Sequence, residues 1–92
     1  MKKVAYYIGS NNATHELEAD KIEGIIAGHF DGFTAFQVIG YWRGSKEKTL
    51  LIQAITEKTD SELAKIAKEL KEKLSQESIL MEIVESNSAF IQ

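Results

Sequence analysis

Ser10, Asn11, Asn12 and Thr14 stand together in "YIGSNNATHELE", residues 7–18, between an apolar, aromatic run that stops at Gly9 and a segment with helical spacing. Hydroxyls, carboxamides and successive backbone N–H groups ahead of a helix form a cradle for phosphate or carboxylate. His15, beside them, can donate a hydrogen bond or move a proton. Turn formation, with Asn12 or Thr14 capping the helix, is the simpler use of the same groups. Neither a Walker-type phosphate loop nor a GxGxxG fingerprint is present.

"GYWRGSKEK", residues 40–48, is the second chemical stretch. Tyr41 and Trp42 can stack on a planar ring, while Arg43, Lys46 and Lys48 can pair with phosphate oxygens. Alternation along a strand sends Tyr41 and Trp42 to opposite faces. The expectation is Trp42 on the helix side with Phe36 and Val38, and Tyr41 on the open face. The candidate ligand-binding set is therefore Tyr7, Ser10, Asn11, Asn12, Thr14, His15, Tyr41, Arg43, Lys46 and Lys48. No complete catalytic set accompanies it. His15 and His29 lack a third ligand, there is no cysteine, and no metal or cofactor is expected. His29 reads as a favourable charge near a helix end, and Glu62, Glu69 and Glu72 as a solvated helix face.

The elements that must position these groups follow from periodicity. Val4, Tyr6 and Ile8 alternate with Ala5 and Tyr7, a strand pattern. From about Thr14, Leu17, Ile22, Ile25 and Ile26 share one side of a helix, with Gly24 and Gly28 expected to pack closely on a sheet. Thr34–Trp42 and Thr49–Thr56 read as a second and third strand, joined by a hairpin through "RGSKEK". "TDSE", residues 59–62, is a capping box, and Leu63, Ile66, Ala67, Leu70 and Leu74 form the clearest apolar stripe. "SILMEIV", residues 78–84, is a fourth strand.

The order β-α-β-β-α-β over a single domain, residues 1–92, predicts an α+β ferredoxin-like sandwich: a four-stranded antiparallel sheet with two helices on one face. In that topology Ser10–Thr14, Arg43–Lys48 and Ser75–Glu77 converge at one end of the sheet. The face away from the helices would carry Tyr7, Ile39, Tyr41, Leu51, Ile55, Leu80 and Val84, too apolar for a solvated surface. Self-association through that open face is expected, as a homodimer or a larger closed oligomer.

Composition excludes several classes. The formal charge of −3 over 92 residues gives no basic footprint for duplex nucleic acid. No apolar run reaches the roughly 18 residues of a membrane span, and Val4–Ile8 is too short for the core of a signal peptide. Absence of cysteine agrees with a cytoplasmic location.

"YIGSNN", "FDGFTAFQVIGYWRG" and "LSQESILMEI" together resemble small uncharacterised bacterial and phage or prophage proteins. These carry an aromatic first strand, a DGxT turn, a Gly-x-Trp strand and a Gln-Glu-Ser segment. Here those features map onto Tyr6–Gly9, Asp31–Thr34, Gly40–Trp42 and Gln76–Ser78. The resemblance implies the same sandwich and brings no catalytic residues with it. Together these readings favour a non-enzymatic, oligomeric small-molecule-binding protein, phage-encoded and sequestering an anionic nucleotide signal of host immunity. One alternative is a dimeric α+β barrel enzyme, a small oxygenase or isomerase with an apolar cavity between sheets. Another is a protein-interaction module using the open face.

Overall fold

The computed structural model describes residues 1–92. Its elements are β1 (Lys2–Ile8), α1 (Ala19–Ala27), β2 (Thr34–Trp42), β3 (Ser45–Thr56), α2 (Asp60–Lys73) and β4 (Leu80–Glu85). The four strands form one antiparallel sheet in the order β2-β3-β1-β4. The expected α+β architecture is present. No helix is long and apolar enough to cross a membrane.

The core lies between one face of the sheet and both helices. Val4, Tyr6 and Ile8 of β1 and Leu50, Ile52 and Ala54 of β3 meet Ile22 and Ile26 of α1 and Leu63, Ile66 and Leu70 of α2. Cross-strand pairing Tyr6↔Ile52 and Tyr6↔Met81 puts these side chains on the same face. Tyr6 is fully buried, and its hydroxyl donates to the Leu63 carbonyl at 2.8 Å, so burial does not orphan it. Loss of solvent raises its pKa well above the usual phenol value. That one bond ties the central strand to the first turn of α2.

α2 starts where its sequence says. The Thr59 side chain accepts from the Glu62 N–H at 3.1 Å, and the Glu62 carboxylate accepts from the Thr59 N–H at 3.0 Å. It ends in a Schellman arrangement without glycine. Ser75 takes φ 53°, with Ser75 N–H donating to Glu72 and Gln76 N–H to Lys71.

α1 departs from expectation. It begins at Ala19, not near Thr14, and its N-cap Glu18 makes no side-chain cap bond. Asn11 explains the delay, because its carboxamide oxygen accepts from the N–H groups of Ala13 and Thr14 at 2.8 and 3.1 Å. Such Asx bonding competes directly with helical pairing. Neither Asn12 nor Thr14 is a cap, and His15 sits in the loop at φ 62° instead of in a first helical turn. Gly24 does not pack on the sheet, since a Cβ there would meet nothing within 4 Å.

β2 reverses the predicted faces. Its register with β3 pairs Phe36↔Leu51, Val38↔Thr49 and Trp42↔Ser45, so Phe36, Val38 and Trp42 lie on the open face. Ile39 and Tyr41, opposite Lys48 and Lys46, lie on the helix side. Apolar residues occupy both phases of "TAFQVIGYW", so alternation alone had no basis for choosing. The hairpin is also tighter than expected: two residues, Arg43 at φ 51° and Gly44 at φ 80°, join strands that extend to Trp42 and from Ser45. β4 starts at Leu80, two residues after the predicted Ser78.

The two helices are joined by His29, whose ring Nε2 lies 2.9 Å from Glu69 Oε1, while Lys73 donates to the other Glu69 oxygen at 2.8 Å. Those bonds, from Lys73 first and His29 second, hold the Glu69 carboxyl below its ordinary range. A carboxyl whose folded pKa lies below its unfolded value stabilises the fold above the carboxylate range and loses that contribution as pH falls through it. Glu69→Gln should therefore be less stable than wild type near neutrality, with the gap closing in acid. Urea unfolding followed by circular dichroism at neutral pH and at about pH 3 measures that gap; a difference that does not change with pH would refute the assignment.

Candidate functional site

β1 stops at Ile8, opposite Leu50, whereas β3 continues upward through Ser45 with β2 alone for company. The five residues Ser45–Thr49 thus carry the hairpin about 17 Å beyond β1 at roughly 3.4 Å per residue. The chain leaving β1 fills the step. The buried Ser10 hydroxyl donates to the Lys48 carbonyl at 2.8 Å. From the α2–β4 link, the Gln76 side chain donates to the carbonyls of Ser10 at 3.0 Å and Gly9 at 3.4 Å. Asn12 reaches the Ser75 carbonyl at 3.5 Å. The three loops expected to converge do so.

Between them, on the open face, lies a groove of about 630 Å³. Tyr7 of β1, Gly9 just after it, and Glu47 and Thr49 of β3 contribute to its lining, with Val38, Gly40 and Trp42 from β2. Gln76, Glu77, Ser78 and Ile79 close it from the α2–β4 link, and Leu80 from β4; Asn12, Ile39 and Tyr41 also border it. A Cβ at Gly9 would approach the Glu47 carboxylate to 2.7 Å, so any larger residue there would push that side chain aside. Gly40 is tighter still against the short, buried Thr49 side chain, at 2.6 Å from its hydroxyl.

The ionisable groups of the groove besides its tyrosines are acids. Glu47 and Glu77 line it, no lysine or arginine does, and neither carboxylate forms an ion pair. Arg43 stands at the hairpin tip, its guanidinium 5.4 Å from the centre of the Trp42 ring. Lys46 and Lys48 leave β3 on the helix side, away from the groove. Of the ten residues singled out in the sequence, Tyr7, Asn12 and Tyr41 line it. Ser10 and Asn11 build the loop behind it, Asn11 also donating to Glu18 at 3.0 Å. Thr14 accepts from Glu16 N–H at 3.3 Å, and neither it nor His15 lines the groove. Glu47 was legible by carrying the alternation Ile55, Gln53, Leu51, Thr49 one step further; Gln76 and Glu77 were brought here by the expected convergence of Ser75–Glu77, but neither was among the candidate ligand-binding residues.

All three non-glycine residues with positive φ, His15, Arg43 and Ser75, belong to these converging loops. Each carries roughly 1–2 kcal/mol of backbone strain, so strain is concentrated at the groove's end of the molecule. With an aromatic pair, apolar walls and unpaired carboxylates, the groove can hold a flat ring and a positively charged or hydrogen-bond-donating group.

No family model and no curated protein matches the chain. Among solved structures it is similar to a phage SAM lyase in the apo state, at TM-score 0.68 and 19% identity, covering 90% of this chain and 78% of that one. It is also similar to a phage SAM lyase in complex with S-methyl-5'-thioadenosine, at TM-score 0.64 and 22% identity, covering 91% and 80%. A DUF3240 family protein from Shewanella baltica OS155 aligns at TM-score 0.68 and 12% identity, covering 99% and 96%. At these identities the likeness is one of fold.

Two glycine replacements separate the groove from the rest of the chain. Gly40→Ala should destabilise by about 1–3 kcal/mol, because the new methyl group overpacks Thr49. Gly24→Ala, in an unobstructed helical position, should stabilise by about 0.5–1 kcal/mol. Chemical denaturation of both variants reads the difference, and equal effects would contradict the packing described at Gly40.

Proposed function

We propose that this protein is a non-enzymatic binder of a small nucleoside-type ligand, held in the groove between the hairpin and β4. The observation that carries the reading is the lining itself: Tyr7 and Trp42 beside the unpaired carboxylates Glu47 and Glu77. Aromatic faces and carboxylates both attract cations, and the apolar walls strengthen that attraction by excluding water. SAM, a sulfonium cation joined to a flat adenine, meets both demands. The likeness in fold to phage SAM lyases, one of them complexed with S-methyl-5'-thioadenosine, supports the same ligand class.

The strand order, with both helices on one face, supports our reading of the fold as a ferredoxin-like sandwich. We read the protein as a small phage or prophage product that sequesters its ligand in the cytoplasm. A phosphorylated nucleotide is the second reading, favoured by Arg43. Its guanidinium over Trp42 would meet a phosphate at the mouth of the groove while the ring stacks inside.

Trp42 is the only tryptophan, so its fluorescence reports the groove directly. Both SAM and S-methyl-5'-thioadenosine should change it. Glu47→Gln should weaken SAM about tenfold, equivalent to about 1.4 kcal/mol, and leave the uncharged thioether largely unaffected. A response to phosphorylated nucleotides alone, abolished by Arg43→Ala, would select the second reading. SAM should be recovered intact; its conversion to S-methyl-5'-thioadenosine would make the protein an enzyme.

A further inference from the structure

β2 is an edge strand with none of the usual protections of an edge. It runs nine residues, "TAFQVIGYW", with no charge and no proline. Its composition is that of a strand buried on both faces, yet Ile39 and Tyr41 on one face and Phe36 and Trp42 on the other are all exposed. The open face adds a second bare surface, including Leu80 at 64% exposure. The chain exposes 6129 Å², about 700 Å² more than the roughly 5,400 Å² of a compact monomer of its mass. That excess is close to the about 800 Å² that each partner contributes to a stable interface.

One arrangement covers both surfaces. β2 and β4, the two edges of the sheet, run in opposite directions, because each strand is antiparallel to its neighbour. A second copy can therefore set its β4 against β2 and continue the sheet in antiparallel order. A two-fold β2–β2 pair would extend the sheet but leave its open face bare. A face-to-face dimer would cover that face but leave β2 unpaired. Repeating the β4-to-β2 step around an axis closes the sheet into a barrel, open faces inward and helices outward, with no edge remaining.

We propose that this protein assembles as a closed ring in which β2 of each copy pairs with β4 of the next. The self-association expected from the open face becomes a consequence of that seam. The groove is then an intersubunit site. β2 forms one wall of the groove, and in the ring β4 of the partner subunit runs along the outer edge of that wall. The proposal is independent of the ligand reading.

The seam is tested by charging each edge separately. Ala35→Glu with Gln37→Glu puts two acids on the helix side of β2, outside the groove and facing a β4 whose helix side already carries Glu85. Val84→Glu adds an acid to the open face of β4, beside Glu82. Native mass spectrometry of the wild type should give a whole multiple, two or more, of the 10.3 kDa chain. Each edge variant should be monomeric with an unchanged circular dichroism spectrum. Mixing the two should restore dimers, because one intact β2 then meets one intact β4. A monomeric wild type overturns the ring. So does a Val84→Glu variant that stays assembled while the β2 variant falls apart, the outcome a two-fold β2 pair would give. Wild-type Trp42 fluorescence titrated with SAM in parallel reads the ligand proposal separately, since an assembled ring indifferent to SAM loses only that reading.

Discussion

β3 keeps pairing with β2 for five residues after β1 has run out at Ile8, and the backbone groups left at that step need other partners. Ser10 takes the Lys48 carbonyl, and Gln76 takes the carbonyls of Gly9 and Ser10. Those bonds bring the loop after β1 and the link after α2 against the base of the hairpin. The groove is the space they leave on the open side. Removing the mismatch, by lengthening β1, would fill that space with backbone.

The same end of the molecule holds the strained residues. Ser75 at φ 53° turns the chain out of α2 so that Gln76 faces β1, and Arg43 at φ 51° turns the hairpin in two residues. In both cases a side chain larger than glycine occupies a backbone conformation that glycine adopts more easily. The opposite end is relaxed and conventional, with the capping box of α2 and a 2.7 Å ion pair between Lys2 and Asp60.

The helices cover β1 and β3 and leave β2 bare on both sides. The core draws on residues of one phase from the two central strands, whereas no β2 residue is buried. This asymmetry links the groove, which uses β2 as one wall, to assembly, which would cover its outer edge. Aromatic side chains at that wall, Tyr41 and Trp42, are exposed in the single chain for the same reason.

Patterns spanning a few residues were sufficient for the six elements, the capping box, the apolar stripe of α2 and the phase of β1, β3 and β4, because each was written in local spacing. The order of those elements was also enough to bring three distant loops together. Other features were decided in three dimensions. The faces of β2 depend on its register with β3, since apolar residues occupy both of its phases. The start of α1 depends on Asn11 capturing amides that a helix would otherwise have used. The charge of the groove depends on strand alternation inside the hairpin: Lys46 and Lys48 turn to one face and Glu47, between them, to the other. A run reading Lys-Glu-Lys is basic as sequence and acidic on the side that faces the groove, because a pleated strand shows only every second residue to either side.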